Sequence, residues 1–347
     1  MFYRTYRPQT VSELDTPEIR DRLTAILKSD PLPHAFIFAG PKGIGKTSIA
    51  RIIAKAINCE KNKFSGEGDS IEPCNKCQTC KSITAGQAVD VIELDGASNR
   101  RIDDVRALNT SVSLSAVYTS YKVYIIDEVH MLTNEAFNAL LKTLEEPPSH
   151  VIFILATTEL DKLPPTIISR CMLVQFTKAS PEDIVHMLER VIKKEKVKAE
   201  PGTLEYIADH SDGAFRDAAK ILEEASLTSK EITVEIVKQI LGMDQGAQSL
   251  LDLIVKKDVK ALFSFLEDYQ NQGKSSKVLI ETVLHTLHDL LLSKQSGKES
   301  TISLDLSSKQ IFLLMKEFQQ AYKDIKYTPI PTLPIEIAVI EYLAKRK

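Results

Sequence analysis

Gly40-Pro41-Lys42-Gly43-Ile44-Gly45-Lys46-Thr47 decides how this chain is read. The apolar run His34 to Ala39 before it reads as a buried strand, and Ser48 to Asn58 after it reads as a helix. Glycines at such a junction let successive backbone N–H groups turn inward, and the helix start adds its own amides and partial positive charge. The result is a cradle for phosphate. Lys46 is spaced to reach the terminal phosphates and Thr47 to offer a hydroxyl to Mg²⁺, so Gly40, Gly43, Gly45, Lys46, Thr47 and Ser48 are the expected nucleotide ligands.

The partner of that loop is Val123-Tyr124-Ile125-Ile126-Asp127-Glu128. Its apolar residues bury a strand whose two carboxylates emerge at the carboxyl end, where open α/β sheets bind ligands. Asp127 is placed to hold Mg²⁺ through water, and Glu128 to polarise the water that attacks the γ-phosphate. Thr157 and Thr158 end a further strand beside Asp127, and either hydroxyl could respond to the γ-phosphate or simply close the strand end. Arg216, in Gly213-Ala214-Phe215-Arg216-Asp217, could fold onto the nucleotide or pair with Asp212 or Asp217; spacing does not separate the two.

A second cluster is made of cysteines. Cys74-x₂-Cys77-x₂-Cys80, with Cys59 upstream, supplies four thiolates whose two-residue gaps suit one tetrahedral Zn²⁺ at bonds of ~2.3 Å. An iron–sulfur cluster competes, but ferredoxin-type runs carry a further cysteine soon after the third, and here Lys81-Ser82-Ile83 follows. Four protein ligands leave no open position, so the expected role is structural: closing the loop between the first helix and the second strand. Cys171 stands alone in an apolar setting and reads as a buried thiol.

Size and composition bound the rest. A chain of 347 residues can build two or three cores, and 43% apolar with 26% charged residues is ordinary for a globular protein. A formal net charge of −3 argues against a wholesale nucleic-acid coat, so any DNA contact has to be local, through a few basic residues on one face. No apolar stretch reaches membrane-spanning length, and Met1-Phe2-Tyr3-Arg4 does not open a signal peptide. Four clustered cysteines out of five suit a reducing compartment, so the expected location is cytoplasmic, with no membrane partner.

Alternation of apolar runs with helical patterns in the first half predicts a parallel sheet with helices on both faces. The expected strands are Ala35–Gly40, Asp90–Asp95, Lys122–Asp127, Val151–Thr157 and Met172–Phe176, each apolar enough to be buried on both sides. Past Thr177 the β signal vanishes. Ser180-Pro181-Glu182-Asp183 starts a helix, and Ile184, Met187, Leu188, Val191 and Ile192 give it an apolar stripe. That helix opens a small all-helical domain closed by Gly242, and further helices run from Gln248 to the end. The expected domains are therefore residues 1–178 with the cysteine module at 59–80, then 179–242, then 243–347. The last carries no convergent polar cluster and suits packing or subunit association.

Several segments taken together resemble the AAA+ clamp-loader ATPases. They are Lys46-Thr47, Asp127-Glu128-Val129-His130, Leu140-Leu141-Lys142-Thr143-Leu144-Glu145-Glu146-Pro147-Pro148 and Ser169-Arg170-Cys171. The cysteine module, with Tyr6-Arg7-Pro8-Gln9, Asp95-Gly96-Ala97-Ser98-Asn99 and Phe215-Arg216-Asp217-Ala218, narrows the resemblance to the gamma/tau subunits of bacterial DNA polymerase III. It is specific to about Gly242 and looser beyond. The resemblance implies an α/β P-loop NTPase (AAA+) domain with a zinc module, a helical lid and an all-α collar. ATP, Mg²⁺ and structural Zn²⁺ are the implied cofactors. Implied partners are delta-type and delta-prime-type loader subunits, further copies of the chain, the β sliding clamp and primer-template DNA.

Residue roles follow by the same resemblance. Arg170 would be an arginine finger reaching into the next subunit's nucleotide, Arg216 a sensor-2 arginine, and Thr157 or Thr158 sensor 1. Arg7 would lie against the adenine, and Asn99, Arg101 and Arg106 would track the DNA backbone, unless Asp103 and Asp104 neutralise Arg100, Arg101 and Arg106. Two departures stand out: Leu14-Asp15-Thr16 where the family has Val/Ile-Gly-Gln, and Lys42 where arginine is common. By the same resemblance, a chain ending at Lys347 would be a gamma-like product, or the product of a gene that makes only that form. The implied function is the ATP-hydrolysing subunit of a clamp loader. Two rivals remain: another AAA+ DNA-remodelling motor, opposed by the cysteine module and Ser-Arg-Cys, and a non-hydrolysing nucleotide-binding scaffold, opposed by intact Lys46, Asp127 and Glu128.

Overall fold

Five short runs rich in Ile, Val and Phe pair in parallel to make the central sheet of the computed structural model, which describes residues 1–100, 102–241, 246–296, 304 and 306–345. They are β1 (Ala35–Ala39), β2 (Val91–Asp95), β3 (Lys122–Asp127), β4 (Val151–Thr157) and β5 (Met172–Gln175), in the order β2-β3-β4-β1-β5. Each lies within a residue of its expected limits. The order places β4 between β1 and β3, so the phosphate loop leaving β1 and the acids leaving β3 open on one edge with Thr157 between them.

The three inner strands are buried on both faces and alternate with period two. Phe36, Phe38, Val123, Ile125, Ile152 and Ile154 face one core, and Ile37, Tyr124, Ile126, Phe153 and Leu155 face the other. The first face is covered by α2 (Pro17–Lys28) and α3 (Lys46–Ile57); short α1 (Phe2–Thr5) precedes them, and α4 (Gln78–Ala85) follows the cysteine loop. The second face is covered by α5 (Ile102–Val112), α6 (Asn134–Glu145) and the single turn α7 (Pro165–Ile168). Two-sided burial was also expected of β2 and β5, and both are instead half exposed. As the outer members of the order, each has a neighbour on one side only. Asp90, expected as the first residue of β2, lies just outside it.

Past Thr177 come α8 (Pro181–Glu195), α9 (Thr203–Asp209) and α10 (Phe215–Thr228). Ser180 and Asp183 form a reciprocal capping box at the start of α8, with Pro181 in its first turn. Ile184, Met187, Leu188 and Val191 are buried along one stripe of that helix. The segment is not wholly helical: β6 (Lys198–Ala199) pairs in parallel with β7 (Glu231–Ile232). Two-residue strands are too short to show alternation in a sequence.

The chain divides into two compact units, Met1–Ile232 and Thr233–Lys347. The boundary expected at Gly242 lies outside the described residues. The second unit contains α11 (Val234–Ile240), α12 (Gly246–Lys256), α13 (Val259–Asn271), α14 (Ser276–Ser296), α15 (Ser308–Asp324) and α16 (Leu333–Lys345). Helices α12 to α16 share a core that includes Leu250, Leu266, Leu287, Phe318 and Val339.

Asp90 is 1% exposed and accepts from the backbone N–H groups of Val117, Tyr118 and Thr119 and from the Thr119 hydroxyl, at 2.7–3.2 Å. It fastens the loop between α5 and β3 to the sheet. Replacing Asp90 by Ala removes the buried carboxylate that accepts all four bonds; a hydrogen bond to a charged group contributes ~1.5–3 kcal/mol, part of which water recovers at the exposed Val117 and Tyr118. The expected outcome is a loss of about 3 kcal/mol in the urea unfolding transition of the first unit, followed by circular dichroism.

Candidate nucleotide site and four-cysteine centre

The loop after β1 takes backbone conformations that only glycine accepts at low cost: φ is +154° at Gly40, +84° at Gly43 and +98° at Gly45. Space adds a second reason at two of them. A Cβ on Gly40 would meet the Phe176 carbonyl oxygen at 2.3 Å, and one on Gly43 would meet Ala214 Cβ at 2.9 Å. The loop is thus wedged between the end of β5 and the start of α10, where Arg216 N–H donates to the Gly43 carbonyl at 3.2 Å.

Lys46 is 6% exposed, and its ammonium donates to the carbonyls of Gly40 (2.6 Å) and Pro41 (2.7 Å). Burial pulls its pKa below the usual lysine value, and the charges of Glu128 and Asp127 push back. Thr47 donates its hydroxyl to Asp127 Oδ2 at 2.8 Å, joining the first turn of α3 to the end of β3.

Glu128 follows in the left-handed region, at φ +47°. Its Oε2 accepts from the Thr158 hydroxyl at 3.2 Å and lies 3.5 Å from His130 Nδ1. The imidazole of His130 is buried, shares a 3.0 Å hydrogen bond with Thr157 Oγ1 and sits 3.3 Å from Glu159. Of the two threonines, then, Thr158 touches Glu128 and Thr157 holds His130 and accepts from the Glu159 N–H. His130 was not singled out from the sequence.

A cavity opens over the loop and is walled by Lys46, Thr47, Asp127 and Glu128 on the sheet side. The N-terminal segment adds Tyr3, Tyr6, Arg7, Leu14 and Asp15, and the later helices add Met187, Arg190, Phe215 and Arg216. Arg7 lies in this wall, its Nε donating to the Tyr3 carbonyl at 3.2 Å. Burial lowers its pKa, and repulsion from Arg51, Arg4 and Arg216 lowers it further. Arg216 lies 5.0 Å from the Tyr3 ring centroid, while Asp212 and Asp217 pair with Lys178 and Lys220. Gly40, Thr157 and Arg170 do not line the cavity.

The departure at Leu14-Asp15-Thr16 has a structural role. The Asp15 carboxylate is 5% exposed and takes two hydrogen bonds from Arg190 of α8, at 2.9 and 2.8 Å, and a third contact from His186 at 2.8 Å. Tyr6 donates to Glu195 of the same helix, and Glu223 of α10 accepts from Phe2 N–H at 3.1 Å. The first sixteen residues therefore strap the later helices to the sheet domain. A fork-shaped arginine–carboxylate pair of this kind fixes orientation as well as distance.

Arg170 lies at the end of α7, bonded to the Thr166 carbonyl at 2.7 Å and paired with Glu145. Asn99 donates to the Asp95 carbonyl at 3.0 Å in the turn after β2, and Arg106 on α5 pairs with Asp103 at 3.3 Å. Arg101 lies outside the described residues. The Asp95–Asn99 turn abuts Glu128: Gly96 N–H donates to the Asp127 carbonyl at 2.7 Å, and a Cβ there would meet the Glu128 carbonyl oxygen at 2.7 Å.

Cys59, Cys74, Cys77 and Cys80 converge, with all four sulfurs within 4.8 Å of one another. Tetrahedral bonds of ~2.3 Å put sulfurs about 3.8 Å apart, so the set fits a single Zn²⁺. Backbone N–H groups of Cys74, Cys77 and Cys80 donate to Cys59, Cys74 and Cys77 sulfurs at 3.3–3.4 Å, the support a thiolate needs. Burial pushes the Cys74 thiol up, but hydrogen bonds from the Lys76 and Cys77 N–H groups and with the Cys59 and Cys77 side chains together outweigh it, lowering its pKa to about 6. The lone Cys171 is half buried, and burial pushes its thiol up to about 12.

Strand order, phosphate loop and the Thr47–Asp127 pair define a P-loop nucleotide-binding fold. The fold is that of RuvB: the structure of a Thermotoga maritima RuvB variant aligns over 94% of this chain and 99% of that one, at 20% identity and a TM-score of 0.51. Residues 16–180 match the family described as DNA polymerase III, delta subunit. The DNA polymerase III subunit gamma of Buchnera aphidicola (subspecies Acyrthosiphon pisum) is 33% identical over 98% of this chain and 98% of its own length. The subunit tau of Bacillus subtilis is 38% identical over 98% of this chain, which spans 62% of that relative. The chain belongs to the gamma/tau subunit family of DNA polymerase III. Among the described residues, no helix is long and apolar enough to cross a membrane.

The cysteine geometry predicts about one tightly held Zn²⁺ per chain by elemental analysis, and Cys80→Ser, which removes a fully buried ligand, should lose it. Iron in place of zinc, or no metal, would contradict the assignment.

Proposed function

We propose that this chain is the ATP-hydrolysing subunit of a bacterial clamp loader, in which ATP binding drives opening of the β sliding clamp and hydrolysis releases it on primed DNA. The observation that carries the proposal is the 2.8 Å Thr47–Asp127 hydrogen bond, with Lys46 and Glu128 in the same cavity. Membership of the gamma/tau family supplies the context.

Each residue has a task in this reading. Lys46 exchanges two carbonyl partners for phosphate oxygens, which compensate its buried charge better than neutral carbonyls do. Thr47 and Asp127 would hold a Mg²⁺ that neutralises charge on the phosphates. Glu128 takes the proton of the attacking water, and Thr158 and His130 orient its carboxylate. Arg7 and the strap from Tyr3 to Thr16 enclose the base, and Arg216 follows the γ-phosphate as the lid domain (179–242) moves. The collar (243–347) associates with delta-type and delta-prime-type subunits and further copies of the chain.

Arg170 acts in trans on the next subunit's nucleotide, leaving Glu145 on assembly. Such fingers are worth ~10³–10⁵ in rate because they stabilise charge that develops during transfer. Asn99, Arg101 and Arg106 contact the DNA backbone, a sequence-independent and salt-sensitive interaction that suits loading at any primer. The Asp95–Asn99 turn sits directly on Glu128, which supports a route from DNA contact to the catalytic carboxylate.

Two variants test the site. Glu128→Gln should bind ATP normally and lose at least about a hundredfold in turnover, in line with the usual contribution of a general base. Wild-type turnover by that variant would remove Glu128 from the chemistry. Mixing Arg170→Ala chains into wild-type assemblies should depress turnover by the neighbouring wild-type subunits; a rate that merely falls in proportion to the wild-type fraction would remove the trans finger.

A further inference from the structure

Between Arg7-Pro8 and Leu14-Asp15-Thr16, all of which wall the cavity, residues 9–12 have no helix or strand of their own. Their backbone groups need partners from elsewhere. Glu72, in the loop between Cys59 and Cys74, supplies two: its carboxylate accepts from Val11 N–H and Ser12 N–H, each at 2.8 Å. Asn75, between Cys74 and Cys77 and held at φ +55°, donates to the Gln9 carbonyl at 3.3 Å.

Lys55 completes the junction. It is 1% exposed on α3, and its ammonium donates to the Gln9 carbonyl (2.9 Å), Gln9 Oε1 (2.7 Å) and Asn75 Oδ1 (2.7 Å). Three donors thus join three segments: the helix behind the phosphate loop, the N-terminal strap and the cysteine loop. A buried ammonium that meets only neutral oxygens is costly unless all its bonds are kept, so the three segments are held in one arrangement.

We propose that the four-cysteine module is a positioning element of the nucleotide cavity: through Glu72, Asn75 and Lys55 it fixes residues 9–12, and through them the wall from Arg7 to Thr16. The inference rests on the nucleotide reading of that cavity. Closing the four thiolates on a metal sets where Glu72 and Asn75 stand, so metal occupancy and nucleotide affinity are linked although the metal touches no nucleotide.

The test uses the full chain and a fluorescent ATP analogue with Mg²⁺. Glu72→Ala should weaken its binding about tenfold, within the roughly 5–150-fold range of coupling between sites. Zinc content and the unfolding midpoint should be retained, and the Val11 and Ser12 amides should exchange faster with solvent. Stripping the wild type with a zinc-selective chelator should give the same loss, and stripping Glu72→Ala should add little to it. Should chelation unfold the first unit, Glu72→Ala and Asn75→Ala with zinc retained carry the test alone. Variants that bind the analogue as the wild type does, with those amides deprotected, would overturn the inference and leave the nucleotide reading intact. A wild type that binds no analogue would overturn both.

Discussion

The phosphate loop is packed against two neighbours. Gly40 is pressed against Phe176 at the end of β5, Gly43 against Ala214 at the start of α10, and Arg216 N–H is bonded to the Gly43 carbonyl. Any rearrangement of phosphate ligands at this loop is therefore felt on two sides, by the sheet and by the helices beyond residue 180. Coupling of this kind needs no long relay, because the loop is itself the contact. A packed junction tends to have discrete arrangements rather than a continuum, and that is what a nucleotide switch requires.

The strap of residues 1–16 gives the same helices a second attachment. Asp15, Tyr6 and the first residues hold α8 and α10 through Arg190, Glu195 and Glu223, while residues 9–12 are held by the cysteine loop. Gln and Gly, which the family resemblance leads one to expect near Asp15, could not make the bidentate ion pair seen here. In this chain Asp15 and Arg190 form a charged clasp between the N-terminal segment and α8.

Much of this was legible in the sequence, and what was not has physical reasons. The inner strands declared themselves by unbroken apolar runs, and the phosphate loop and cysteines by spacing, since both depend on local geometry. Two-sided burial of β2 and β5 did not follow from their composition, because edge position is decided by strand order and not by the strand. The contacts of His130 and Asp15 escaped because a single polar residue gains meaning only from partners 27 and 175 positions away. Lys55 did leave a trace: a lysine in Ile52-Ile53-Ala54-Lys55-Ala56-Ile57 interrupts a face that is otherwise apolar and buried. A charge in such a run signals a partner, and the sequence does not say which.

Everything proposed for this cavity depends on its hydrolysing ATP in the service of clamp loading. That activity is tested most directly by ATP turnover of the purified chain with its cognate clamp and companion loader subunits, with and without primed DNA at moderate salt. Strong stimulation is expected only when clamp and primer are both present. Turnover indifferent to the clamp would contradict it and indicate an ATPase of another kind, and no turnover under any of these conditions would indicate a nucleotide-binding scaffold.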